Sequence, residues 1–259
     1  MLMDKLLTCV EELNGKCSFV IKNFMAKECF SYDENLVVPS ASLIKVPILI
    51  EAVRQIKSGE LSPDLRLTVK PEDKAAFSVL QFLDSGNSYT LFDLLKLMII
   101  YSDNTAANVL IDLLGMENVN GCMAELGLQE TRLRRKMMDF HAREKGFENH
   151  TTAREMETIM TRLYKGELID RQCSDFILDI MKGQADECMM RVDLPDELVI
   201  ARKSGELERL NHEAAIVYGK NCDYLYLFFA WGTATNNETR EIIQKTSKIV
   251  HDYFEMKEK

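Results

Sequence analysis

Apolar residues recur along this chain with two different periods. Leu2, Leu6, Leu7 and Val10 share one helical face and predict a short amphipathic helix over 2–13, closed by the turn signal Asn14-Gly15. Residues 17–24 and 28–32 then read as two strands joined by a short connection, and Val37-Val38-Pro39 is extended, because Pro39 disfavours helix in the residue before it. From Ser42 to about residue 190 the spacing is helical: 44–56, 90–101, 104–114, 116–126, 152–163 and 170–181. Between two of these, residues 131–150 are polar, charged and weakly periodic. That is long for a loop in a compact domain, and such loops are often functional. From Leu198 the chain returns to strands, at 198–203, 213–218 and 224–231, and Asn236 or Asn237 can cap a last helix running to about Phe254. The order predicts an α/β (α+β) fold. Residues 16–38 and 198–231 share one antiparallel sheet, the terminal helices pack on it, and an all-helical block is inserted between. The lobes would be 1–40 with 191–259, and 41–190, with a site between them.

Composition narrows the function. The 259 residues are 46% hydrophobic and 28% charged, ordinary for a globular protein, and the net charge of −9 argues against a general nucleic-acid binder. Seven Cys, at 9, 17, 29, 122, 173, 188 and 222, are odd in number and form no C-x-x-C pair, which points to reduced thiols. The four His, at 141, 150, 212 and 251, are scattered without metal-ligand spacing. No metal or cofactor is called for. The start, Met1-Leu2-Met3-Asp4-Lys5, lacks a basic leader, and no run reaches membrane-spanning length. A cytoplasmic location without membrane partners is the expectation, or a secreted one if a leader has been removed.

Three short words carry candidate chemistry: Ser42-Leu43-Ile44-Lys45, Ser102-Asp103-Asn104 and Lys203-Ser204-Gly205. With Ser42 in the first turn of a helix, Lys45 lies one turn on, within reach of the hydroxyl. Lys45 can act as a base only when neutral, and burial beside a second cation such as Lys203 pushes it that way. In the second word, Asp103 suits capping of the next helix. Lys-Ser-Gly occurs twice. Lys57-Ser58-Gly59 ends a helical pattern and reads as a helix stop, whereas Lys203 follows the strand-like run Leu198-Val199-Ile200-Ala201.

In order and spacing these words resemble the S-x-x-K, S-D-N and K-[ST]-G set of class A β-lactamases and penicillin-binding proteins, and Ser102 to Leu110, SDNTAANVL, resembles the family beyond the three-letter core. The resemblance spans nearly the whole chain and implies a β-lactamase-like two-lobe fold. It implies Ser42 as nucleophile, Lys45 as proton acceptor, Ser102 as proton relay and Asn104 as a holder of the Lys and of the substrate amide. Lys203, Ser204 and Gly205 would receive a substrate carboxylate. Backbone N–H groups of Ser42 and Glu206 would form the oxyanion hole. The acidic Glu206 works against some anionic substrates, and Arg240 could reach the Lys203 strand and assist a carboxylate, or be an ordinary solvated helix residue. One part departs from the family. Where class A enzymes carry a Glu that activates the deacylating water, the ungapped match is Met137. Asp139, two residues on, is the nearest substitute; Glu144 and Glu148 are more distant, and His141 falls at the usual Asn. The expected activity is acyl transfer at Ser42 from a small β-lactam or related amide or ester, with slow release. Alternatives are a penicillin-binding or esterase-like acyltransferase and a non-catalytic ligand-binding relative.

Overall fold

The computed structural model describes residues 1–186 and 188–256. Helix α1 (Leu2–Glu12) leads into strands β1 (Lys16–Asn23) and β2 (Glu28–Tyr32). Short β3 (Val38–Pro39) precedes a 3₁₀ turn, Ala41–Ile44, that runs into α2 (Lys45–Ser58). β4 (Arg66–Thr68) and β5 (Ser88–Thr90) form a small hairpin-like pair before α3 (Leu91–Ile100), α4 (Asn104–Leu114) and α5 (Met116–Glu125). The polar segment holds α6 (Phe140–Glu144) and β6 (His150–Thr151), followed by α7 (Ala153–Lys165) and α8 (Arg171–Lys182). Strands β7 (Val199–Leu207), β8 (Leu210–Tyr218) and β9 (Asp223–Trp231) then lead to α9 (Asn236–Glu255).

Both ends of the chain build one antiparallel sheet, in the order β2-β1-β9-β8-β7, as the alternation of elements predicts. The extended residues before Ser42 do not join it. β3 pairs instead with β6, so the polar segment is pinned to the chain just upstream of Ser42.

The sheet is buried on both faces. Successive side chains of a strand point to opposite sides. Phe19, Ile21, Tyr226 and Phe228 pack with Leu6, Ile243, Val250 and Phe254 under α1 and α9. Val20, Leu225, Leu227 and Phe229 face the helical block, with Ile48, Met160 and Ile177. Double coverage is why β9 reads Tyr-Leu-Tyr-Leu-Phe-Phe-Ala with no polar position between 224 and 230.

Side-chain caps set the helix starts. Thr90 Oγ1 accepts from Asp93 N while Asp93 Oδ2 accepts from Thr90 N, a capping box at α3. Thr152 caps α7 and Asp170 caps α8. The cap of α9 is Thr235, one residue earlier than the pattern suggests. The side chain of Asn236 is engaged elsewhere, donating to Leu207 O at 2.8 Å and accepting from Arg209 N at 2.7 Å. Gly59 ends α2 in the left-handed region, φ +81°, and Lys57 pairs with Asp170 at 2.8 Å on the surface. The first Lys-Ser-Gly is therefore a helix stop. All seven Cys are free, and no described helix is long and apolar enough to cross a membrane.

Phe228 is fully buried and stacks on Phe19, ring centroids 5.7 Å apart. Phe228→Ala should cost about 3–5 kcal/mol of unfolding free energy. Urea denaturation checks this; a loss below about 1 kcal/mol would mean that the layer between sheet and terminal helices is not a packed core.

Candidate active site

The three motifs meet where the 3₁₀ turn of Ser42, the α3–α4 connection and edge strand β7 converge. Ser42 lies in the 3₁₀ turn, so α2 proper begins only at Lys45. Strand β7 approaches this turn closely. A Cβ built at Gly205 would lie 3.1 Å from Ala41 Cβ and 3.3 Å from both Ser40 O and Ser42 N. Any larger residue would push the strand off the Ser42 backbone, which accounts for glycine here. His212, opposite Gly205 on β8, sits with Nε2 2.9 Å from Pro39 O and Nδ1 2.9 Å from Asn211 O. Burial pushes it down to about 4. The neutral ring has one N–H, which serves one of these carbonyls at a time.

Lys45 is fully buried. Its Nζ lies 2.7 Å from Asn104 Oδ1 and 3.1 Å from Ser102 Oγ, and donates to the carbonyl of Ser102. A hydrogen bond to Ser42 is not among its contacts in the described residues. Desolvation, and then the nearby Lys203, hold its amine well below the ordinary lysine range. Both protonation states can be satisfied. An ammonium donates to all three oxygens. A neutral amine donates to Ser102 O and Asn104 Oδ1 while its lone pair accepts the Ser102 hydroxyl. Lys203 is equally buried, donates to Ser204 O at 2.8 Å, and is lowered to about 7 by desolvation.

Above the two lysines lies a cavity of about 760 Å³, lined among others by Ser42, Ser102, Asn104, Met137, Ser204 and Glu206. The lysines form its floor, behind the lining residues. A more open cleft of about 900 Å³, at Tyr164, Arg171 and Tyr218, contains none of the motif residues. Backbone strain gathers at the first cavity. Ala41 (φ +46°), Phe77 (+57°), Ser102 (+53°) and Met138 (+61°) are left-handed without being glycine, and all four line it. Each such residue costs on the order of 1–2 kcal/mol, which the surrounding packing must offset.

The remaining residues singled out in the sequence fall as follows. Asp103 caps α4 through Ala106 N at 2.8 Å and also accepts Leu80 N at 3.0 Å. Arg240 does reach β7, where its Nη2 lies 2.7 and 2.9 Å from the two oxygens of Glu206. Asp139 Oδ1 accepts Ala142 N at 2.9 Å as the N-cap of α6, and Asp139 is not among the lining residues. Glu148 is held by Arg135 at 2.6 Å and Arg143 at 2.9 Å. Met137 does line the cavity, and Asn108 clamps its backbone, accepting Met137 N at 2.7 Å and donating to Met137 O at 3.2 Å.

The profile of the beta-lactamase enzyme family matches residues 1–254. This chain belongs to that family. As a family member it is a serine hydrolase of the β-lactamase and penicillin-binding fold. Beta-lactamase VEB-1 of Pseudomonas aeruginosa is 20% identical over 266 residues, covering 96% of this chain and 89% of the relative. A beta-lactamase of Rhodobacter capsulatus is 27% identical over 213 residues, 80% of this chain and 72% of the relative. Among solved structures, PBP-A is 26% identical with a TM-score of 0.90, over 98% of this chain and 96% of that one. A mutant of PBP-A, solved as its acyl-enzyme complex with penicillin-G, matches equally well. The beta-lactamase from Sphaerobacter thermophilus, 23% identical with a TM-score of 0.89 over 99% and 98% of the two chains, shows the shared fold.

Sequence reasoning missed Asn108 as the clamp on the loop, although it lies inside SDNTAANVL. It also missed the apolar rim of Phe77, Tyr101 and Phe140, and Gln184 and Asp186 on the opposite wall. Nothing local marks these residues; each comes from a different connection.

The depressed Lys203 amine has a consequence for stability. In the unfolded chain it stays protonated up to about 10.4. Between about 7 and that value the unfolded state binds more protons, so this group makes stability rise with pH. Lys203→Met removes the contribution. The stability of Lys203→Met relative to the parent should therefore be highest below pH 7 and decline steadily towards pH 10. Urea denaturation of both proteins at several pH values reads the slope, and a flat difference would refute a depressed amine.

Proposed function

We propose that Ser42 is acylated by β-lactams or related amides and esters in the cavity between a sheet lobe, 1–40 with 191–259, and a helical lobe, 41–190. The observation that carries this reading is the buried Lys45, held by Ser102 and Asn104 directly after the turn of Ser42, with Lys203 close enough to disfavour its charge. A neutral Lys45 can take a proton relayed from Ser42 through the substrate or the Ser102 hydroxyl. Ser102 can return it to the leaving nitrogen, and Asn104 holds Lys45 while its own Nδ2 donates to Ala76 O at 2.8 Å. Charge developing on the carbonyl oxygen would be met by the N–H groups of Ser42 and Glu206, which the close approach at Gly205 brings together. Lys203 and Ser204 line the end that receives the substrate's far polar group.

Release is the slow step in this reading. The position facing the cavity from the loop is Met137, and a thioether cannot deprotonate water. Asp139 is engaged as a helix cap, and Glu148 is neutralised by two arginines. General-base help is worth about 10²–10⁴-fold, so its loss slows deacylation far more than capture. The penicillin-G acyl-enzyme of PBP-A supports this over a rapid β-lactamase.

Mixing with benzylpenicillin should give a long-lived covalent adduct by mass spectrometry, and Ser42→Ala should abolish it. Met137→Glu should speed loss of the adduct by about 10²–10⁴-fold, while Asp139→Asn leaves it unchanged. Fast turnover by the unmodified protein, slowed by Asp139→Asn, would make Asp139 the base after all.

A further inference from the structure

The Lys203–Ser204 end of the cavity is built unlike a carboxylate receptor. Its one exposed cation, Arg240, is already engaged. Arg240 Nη2 lies 2.7 and 2.9 Å from the two oxygens of Glu206, and Glu206 lines the cavity. Glu206 is itself held in place. Asn236 Nδ2 donates to its Oε1 at 3.3 Å and Asn211 Nδ2 to its Oε2 at 3.2 Å. Four contacts from three side chains on two elements make this a positioned carboxylate. Two further carboxylates, Asp186 and Glu208, line the same cavity. The other two lining arginines, Arg135 and Arg143, are paired with Glu148 in the loop.

A separate observation concerns the adjoining wall. Gln184 lines the cavity, is 8% exposed, and reaches Ser204 Oγ only weakly, its Nε2 at 3.5 Å. Its Oε1 is buried and has no hydrogen-bond partner in the structure. A buried carbonyl oxygen left unpaired costs about 1–3 kcal/mol, and only a donor relieves it. Acceptors thus outnumber available donors at this end. An incoming carboxylate meets Glu206 before Arg240, whereas an incoming N–H finds acceptors ready.

We propose that Glu206 is a specificity-determining residue that biases this end of the site against substrates bearing a carboxylate and towards substrates presenting a hydrogen-bond donor there, an ammonium or a primary amide. This rests on the reading that the cavity is the acylation site. It deepens that reading by naming the chemistry of the preferred substrate. Removing the charge of Glu206 frees Arg240 to face the cavity.

The test separates binding from acylation. Three probes differ at one group: benzylpenicillin, its primary carboxamide, and its aminoethyl amide. Their affinities are measured by calorimetry at low salt on Ser42→Ala protein, which cannot be acylated at that residue. The amide and the ammonium probe should bind more tightly than the free acid. Adding Glu206→Gln should strengthen the acid by about threefold to tenfold and weaken the ammonium probe by a similar factor, as expected for a half-exposed charge. Adding Arg240→Ala as well should cancel the gain of the acid. Glu206→Asp keeps the charge and should keep the rank order. Thermal melts confirm folding, and Glu206→Gln, at the rim, is read alongside Glu206→Asp so that a folding defect in one does not decide the matter. Equal shifts for all three probes, or no difference between them, overturn the proposal. Mass spectrometry of Glu206→Gln with Ser42 intact reads the other question: no adduct from any probe, with the rank order preserved, rejects acylation and leaves the specificity standing.

Discussion

Burying the amine of Lys45 is the constraint around which the rest of this structure is arranged. An amine taken wholly out of water must either lose its charge or find oxygens on every side. Here the oxygens come from the α3–α4 connection. Ser102 must present both its carbonyl and its hydroxyl to one point, and it does so from a left-handed backbone. Asn104, two residues on, adds its amide oxygen from the first turn of α4. Helices α2, α3 and α4 are therefore tied at a polar point in an otherwise apolar block. A second buried amine, Lys203, arrives from the sheet and makes the charged state of both less favourable. The polar junction between sheet and helices is thus also the place where a lysine can serve as a base.

The same junction explains why strain and glycine concentrate there. Ser42 can face Gly205 only if β7 comes within van der Waals contact of the 3₁₀ turn, and only a residue without Cβ permits that. The left-handed Ala41 and Met138 turn the chain sharply on either side of the cavity. None of these positions is helped by local propensity. They are held by the packing behind them, with His212 on Pro39 at one side and Asn108 on Met137 at the other.

The loop from 131 to 150 shows how position, rather than composition, assigns roles to charged residues. It contains three carboxylates after Met137, at 139, 144 and 148. Asp139 turns back to cap its own short helix, and Glu148 turns inward to two arginines. The residue that faces the cavity is the methionine. The ends of the loop are closed by Arg132 and His150, which exchange backbone hydrogen bonds at 3.1 Å, and by the pairing of β3 with β6.

Local pattern was enough for much of this protein. Strand and helix periods, the caps at Thr90, Asp103, Thr152 and Asp170, and the helix stop at Gly59 depend on neighbours in sequence and were readable there. The choice between the two Lys-Ser-Gly copies was also legible, because one ends a helix and the other lies on a strand. Three motif words in order were sufficient to suggest one site. Tertiary structure decided the rest. It moved Ser42 from an α-helical turn into a 3₁₀ turn, took Val38 and Pro39 out of the main sheet, and gave the cap of α9 to Thr235 because Asn236 was needed at β7 and β8. It also placed Asp139 on a cap, joined Arg240 to Glu206, and left Gln184 with an unpaired oxygen. These outcomes turn on which polar groups meet across 30 to 170 residues of chain. Periodicity carries no information about such meetings, because they are settled only when burial forces each polar group to find a partner.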